Sequence, residues 1–282
     1  MLNLFPSNIA KTAVTPGGKI YAPILLDHVE LDYYSSARKN ASLEIPTTYA
    51  EFIAYLEKIQ NEVEYPWLTN GSSDSALLDS VSVFALSYLG TDGYTQLCEE
   101  LKTDFSRRKT LPHDLCIVLD EFKSLSRNKL SHRNWFVASE NDIKNIMEWN
   151  QAGVISMRLS AHRKIPTNLV KNYEVNPFPP KVQEKSAIII PELCAVILND
   201  KNSEQEIVKH LVSQETQDSL SLVTGLAPST LRAPAADRQA DDVRFWAASN
   251  SNGIMPPIQN ASFIQPAQIS DLAEKIRNYL RN

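Results

Sequence analysis

Glycine is scarce in this chain, with eight in 282 residues where roughly 7% is usual. Phosphate-cradling and dinucleotide-binding folds use glycine wherever the backbone turns left-handed or a ligand must come close. The motifs of those folds are missing too. No Gly-x-x-x-x-Gly-Lys-Ser/Thr, Gly-x-Gly-x-x-Gly, Gly-x-Ser-x-Gly or His-Glu-x-x-His occurs, so the sequence offers no P-loop, Rossmann, serine-hydrolase or zincin signature. An apolar content of 43% and a charged content of 22% exclude wholesale disorder.

What the chain does carry is apolar residues spaced by threes and fours. Thr47 or Thr48 caps a predicted helix bearing Tyr49, Phe52, Ile53, Leu56, Ile59 and Val63, and Pro66 ends it. A buried helix follows from Ser73-Asp74, and residues 92–105 continue the pattern. Pro112 opens another helix with Leu115, Val118, Leu119, Phe122 and Leu125 on one face. Ser139 begins one that Gly153 closes, and further helices are predicted near 188–199, 203–213, 216–226, 236–248 and 270–280. The stretches 115–119 and 154–159 stay open between helix and strand.

Prolines mark the rest. Residues 1–46 read as an extended N-terminal arm with one short strand near 19–26, and 249–282 as a C-terminal arm and helix. A proline-rich linker spans 166–185. The expected architecture is mainly α: a two-lobed α-helical body, lobes at 47–165 and 186–248, with extended arms and few short strands.

Charge is uneven. The chain is net −5, yet 107–164 holds eleven basic residues against six acidic ones, with Trp135, Phe136 and Trp149 interleaved. Arg107, Arg108, Lys109, Arg127, Lys129, Arg133, Arg158, Arg163 and Lys164 are the candidate contacts for RNA phosphates in a central basic groove. Leu4, Phe5, Ile9, Phe263, Ile264, Leu272 and Ile276 are the apolar anchors by which the arms would join copies into a homo-oligomer. This layout resembles bilobed viral nucleoproteins in architecture, which implies a non-enzymatic assembly protein of capsid or nucleocapsid type. The alternative is a metal-dependent nuclease or other phosphoryl enzyme. On a strand Glu121 and Lys123 would share a face, the carboxylate holding Mg²⁺ and the ammonium countering phosphate charge.

No cofactor or resident metal site is read from the sequence. Cys98, Cys116 and Cys194 are odd in number and widely spaced, which gives neither a disulfide framework nor a zinc motif. The opening Met1-Leu-Asn-Leu-Phe-Pro lacks a basic start and an apolar core, and no apolar run is long enough to span a bilayer. The expectation is an intracellular protein, cytoplasmic or inside an assembled particle, not secreted and with no membrane partner.

Overall fold

The strands Tyr21–Leu26 and Val29–Tyr34 are separated only by Asp27 and His28, yet they belong to different sheets. That division runs through the whole chain. The computed structural model describes residues 2–12, 21–104, 110–182, 188–189, 192–196, 202–230, 232–249, 253–262 and 265–282. They form two compact units, the first from 1–28, 158–163 and 187–256, the second from 29–157, 164–186 and 257–282.

In the first unit Tyr21–Leu26 is the central strand, antiparallel to Glu192–Val196 on one side and Ala227–Pro228 on the other. Pro23 has no N–H to give, and the ladder shifts register between Pro23 and Leu25. The short strands Ile188–Ile189 and Ile254–Met255 pair in parallel beside it. Helices Asn202–Leu211 and Arg238–Ser249 and the Val212 turn bury Val208, Val212, Ala240, Val243 and Ala247 in one core with Phe5, Ile9, Ala22 and Leu26, and helix Gln214–Thr224 follows that turn.

One buried amide organises the loop after Ala227–Pro228. Gln217 is fully buried, and its Oε1 accepts from Ser229 N (2.9 Å) and Thr230 N (3.2 Å) while its Nε2 donates to Ser229 Oγ (3.2 Å). Gln217→Leu strands the buried Thr230 N–H and leaves Ser229 N only its longer bond to the Ile24 carbonyl (3.4 Å), at a cost of about 1–3 kcal/mol for each group left short. The first unit should lose roughly 3 kcal/mol, read as a lower urea midpoint at unchanged m-value. A loss below half of that would mean that water takes the place of the amide.

The second unit is built on a four-stranded sheet in the order Tyr65–Thr69, Ala152–Arg158, Val29–Tyr34, Tyr173–Asn176, the first two parallel. Its long helix Asp74–Asp104 breaks at Gly90 (φ 74°, ψ 178°), a left-handed conformation that glycine adopts without strain. Helix Tyr49–Ile59 starts in a capping box, Thr48 Oγ1 accepting from Glu51 N and the Glu51 carboxylate from Thr48 N. The core is aromatic. Phe122 lies 4.1 Å from Phe84, 4.4 Å from Trp135 and 5.2 Å from Trp67, centroid to centroid, and all four rings are buried.

Helix Pro266–Arg281 seals one side. Leu272 and Ile276 are fully buried, and Arg277 Nη1 donates to Asp74 Oδ1 (2.6 Å) while Nη2 donates to the Gly71 carbonyl (3.2 Å). That guanidinium holds the Asp74 carboxyl below its usual pKa. Gly71 has no room for a side chain, since a Cβ there would lie 2.6 Å from Phe136 Cα.

The mainly α expectation is therefore corrected to α/β. The predicted arm 1–46 supplies a strand to the three-stranded and one to the four-stranded sheet, and the predicted linker 166–185 supplies the strand Tyr173–Asn176. The predicted helix 188–199 holds strands Ile188–Ile189 and Glu192–Val196 instead, in keeping with its β-branched Ile188-Ile-Ile190 run and Pro191. Pro66 is the second residue of a strand, and Gly153 lies within another, so close to the Pro66 carbonyl that a Cβ would sit 2.9 Å away. The arm anchors are also at home. Phe5, Ile9, Leu272 and Ile276 are buried within their own chain and Leu4 is exposed; Phe263 and Ile264 lie outside the described residues. In this chain those anchors are satisfied within their own core, so joining copies through them would first require withdrawing them from it.

Candidate functional site

The second unit carries a cleft of about 690 Å³. Its construction begins with helix His113–Arg127, whose buried face is Leu115, Val118, Leu119, Phe122 and Leu125. The opposite face leaves Lys123 half-buried and Arg127 exposed. Lys129 ends the helix in the left-handed region (φ 61°), its N–H donating to Ser126 O while Leu130 N donates to Leu125 O. This closure normally takes glycine or asparagine, and a side chain there costs on the order of 1 kcal/mol. The buried Leu130 then anchors the turn.

The next residues run along the edge of strand Tyr65–Thr69. Ser131 bridges Trp67 in parallel, and His132 N donates to the Trp67 carbonyl (3.0 Å). The His132 ring lies against Tyr65 (5.1 Å), and its buried Nδ1 has no hydrogen-bond partner among the described residues. Burial pulls the pKa of His132 down, against the opposing pull of Asp142 and Glu64. A short helix, Trp135–Val137, forms the floor, with Trp135 and Phe136 buried. Leu280, Arg281 and Asn282 complete the wall.

The lining holds five cationic side chains, Lys123, Arg127, Lys129, Arg133 and Arg281, against the single carboxylate of Glu64. Lys123 is committed: its Nζ donates to the Tyr279 carbonyl (3.3 Å) and lies over the Tyr279 ring. Arg127, Lys129 and Arg133 have no hydrogen-bond or ion-pair partner among the described residues. Such a surface suits a polar or anionic small molecule, held by guanidinium forks at a partly aromatic floor.

The other predicted basic residues lie elsewhere. Arg158 pairs with Asp27 (3.8 Å) in the first unit, where the Asp27 carboxylate also accepts from Ser160 N and Oγ. Arg163, in the same unit, donates to the Gly225 carbonyl, Gln239 and Asp237. Lys164, in the second unit, pairs with Glu140, and Arg107, Arg108 and Lys109 lie outside the described residues. The basic window is thus not one groove. Glu121 and Lys123 sit on a helix, where residues two apart diverge. Glu121 accepts from Tyr49 OH (2.8 Å), and Lys123 is committed as described, so the nuclease pair is not assembled. Among the described residues no cluster of three metal-ligating side chains forms.

Tyr65, His132 and Arg281 were absent from the sequence-derived site. They come together only through the pairing of 131–132 with a strand some 65 residues earlier and the docking of the last helix. No local motif records either event.

No protein-family model matches the chain, and no curated protein is similar in sequence. Solved structures do match in fold. The putative binding protein MsmE of Bacillus subtilis has a TM-score of 0.76 at 14% identity over 99% of this chain and 71% of its own. The bacterial solute receptor AcbH, described as exclusive for β-D-galactopyranose, has 0.76 at 12% over 98% and 74%. A probable secreted solute-binding lipoprotein of Streptomyces coelicolor has 0.68 at 14% over 99% and 76%. These findings overturn the capsid or nucleocapsid reading with its RNA and homo-oligomer partners, and the nuclease alternative with them. The intracellular, non-secreted assignment falls as well, since the shared fold includes a secreted lipoprotein. Taken with the two interleaved units, they give the chain the two-lobed α/β fold of solute-binding proteins.

Proposed function

We propose that this protein is a solute-binding protein that captures a carbohydrate outside the cytoplasm and delivers it to a membrane-embedded transport partner. The observation that carries this reading is one shared fold over nearly the whole chain, common to binding proteins for several sugars. The alternation of the chain between two units supports the same reading.

The test is thermal unfolding and calorimetry of the full chain with β-D-galactopyranose, maltose, stachyose and chitin oligosaccharides, the sugars named with its neighbours. A ligand at one hundred times its Kd adds about 2.7 kcal/mol, which raises Tm by roughly 5–10 °C in units of this size. At least one sugar should do so and give a saturable heat. A response to amino acids or short peptides in place of every sugar overturns the carbohydrate assignment.

A further inference from the structure

We propose that the basic cleft of the second unit is a binding site for a phosphate group, either free or borne on a small organic molecule. This inference stands apart from the carbohydrate reading, because it rests on one cleft and its charge.

The first argument is electrostatic. Basic side chains often gather at helix C-termini simply to offset the dipole, and two helices end here, His113–Arg127 and Pro266–Arg281. Each end carries about half a negative charge. Both ends, Glu64 and the α-carboxylate that Asn282 carries in this chain together offset about three of the five cations in the lining. The remainder is a concentrated positive excess in a chain of net −5, within a concave surface that focuses its field.

The second argument is the commitment of the donors. Lys123 is used by the Tyr279 carbonyl, but Arg127, Lys129 and Arg133 are left open toward solvent. Two guanidiniums supply planar forks that match a tetrahedral oxyanion, and the ammonium adds a point charge. The third argument is Lys129 itself. It holds a left-handed position that glycine would occupy without strain, and a charge directed at an anion is a return for that strain.

The test is isothermal titration of the full chain in 0.15 M NaCl and phosphate-free buffer, with inorganic phosphate and glucose 6-phosphate as separate arms and glucose as the neutral control. Saturable binding of either phosphate, with glucose silent, is expected. Tighter binding of glucose 6-phosphate assigns the organic ester, and equal binding assigns the free ion. Arg127→Ser with Arg133→Ser should weaken it at least tenfold at unchanged Tm. Lys129→Gly should raise Tm while weakening phosphate binding several-fold, opposite signs that a purely structural lysine does not produce. No heat with either phosphate, or an unchanged affinity in the double variant, overturns the proposal. A neutral sugar that binds the same preparation while both phosphates fail leaves the carbohydrate reading standing and removes this one; phosphate binding with every sugar silent does the reverse.

Discussion

Phe122→Ala should destabilise the second unit by about 4 kcal/mol and lower its Tm by roughly 8–16 °C. Phe122 is the middle ring of a continuous stack, 4.1 Å from Phe84 and 4.4 Å from Trp135, with Trp67 at 5.2 Å. Its removal forfeits the transfer free energy of a fully buried ring and leaves a void that three large aromatic neighbours cannot close by rotamer change. Trp67 and Trp135 are each 1% exposed, so their fluorescence reports the transition directly. Phe245→Ala is the contrast: that ring is 64% exposed in the first unit, and the change should stay within about 0.5 kcal/mol. A fall of less than 3 °C for Phe122→Ala would show that the stack collapses onto the gap.

Acid should weaken the first unit through one histidine. His28 is buried with its ring edge-on to Trp246 at 5.5 Å, and its Nδ1 has no hydrogen-bond partner among the described residues. Burial alone drives its pKa down to about 3. The folded pKa lies below the unfolded value near 6.5, so the unfolded chain takes up the proton first as pH falls. The stability tied to neutral His28 is complete above pH 6.5 and is lost progressively between 6.5 and 3. From pH 7 to 4.5 the loss is on the order of 2–3 kcal/mol. His28→Phe keeps a ring against Trp246 and cannot titrate, so urea unfolding of that variant should flatten over this range. His132, also depressed by burial, is present in both proteins and cancels. Equal acid slopes in the two proteins would refute the assignment.

Helices were legible where caps and periodicity agreed. Thr48 caps one helix and Ser139 another, and the apolar face from Leu115 to Leu125 appears as the spacing predicts. Of the strands, the one read near 19–26 appears as Tyr21–Leu26 and the open stretch 154–159 lies largely in Ala152–Arg158; the others were not legible, because each is short and its partner is distant. Tyr65–Thr69 pairs with Ala152–Arg158, and Tyr21–Leu26 pairs with Glu192–Val196. Four or five apolar residues say nothing about what lies alongside them, and Pro66, read as the end of a helix, hid the strand that contains it. The candidate site was half legible. Arg127, Lys129 and Arg133 stood out by charge and do line the cleft, but Arg158 and Arg163, close in sequence, belong to the other unit. Charge clustering along a chain reports proximity only while the chain stays in one unit, and this chain leaves the second unit at 158 and returns at 164.

That weaving also sets the order in which the protein can be made. The first unit needs residues 187–256 for most of its core, and the second needs 257–282 to bring Leu272, Ile276 and Arg277 onto the helix that begins at Asp74. Neither unit is complete until the final quarter of the chain has left the ribosome, so domain-by-domain folding during synthesis is closed to it. A nascent chain halted near residue 186 exposes the central strand Tyr21–Leu26 with neither of its antiparallel partners, an open edge of the kind that recruits other chains. Translation speed and holdase chaperones therefore bear on the yield of this protein more than on that of a protein whose units follow one another in sequence.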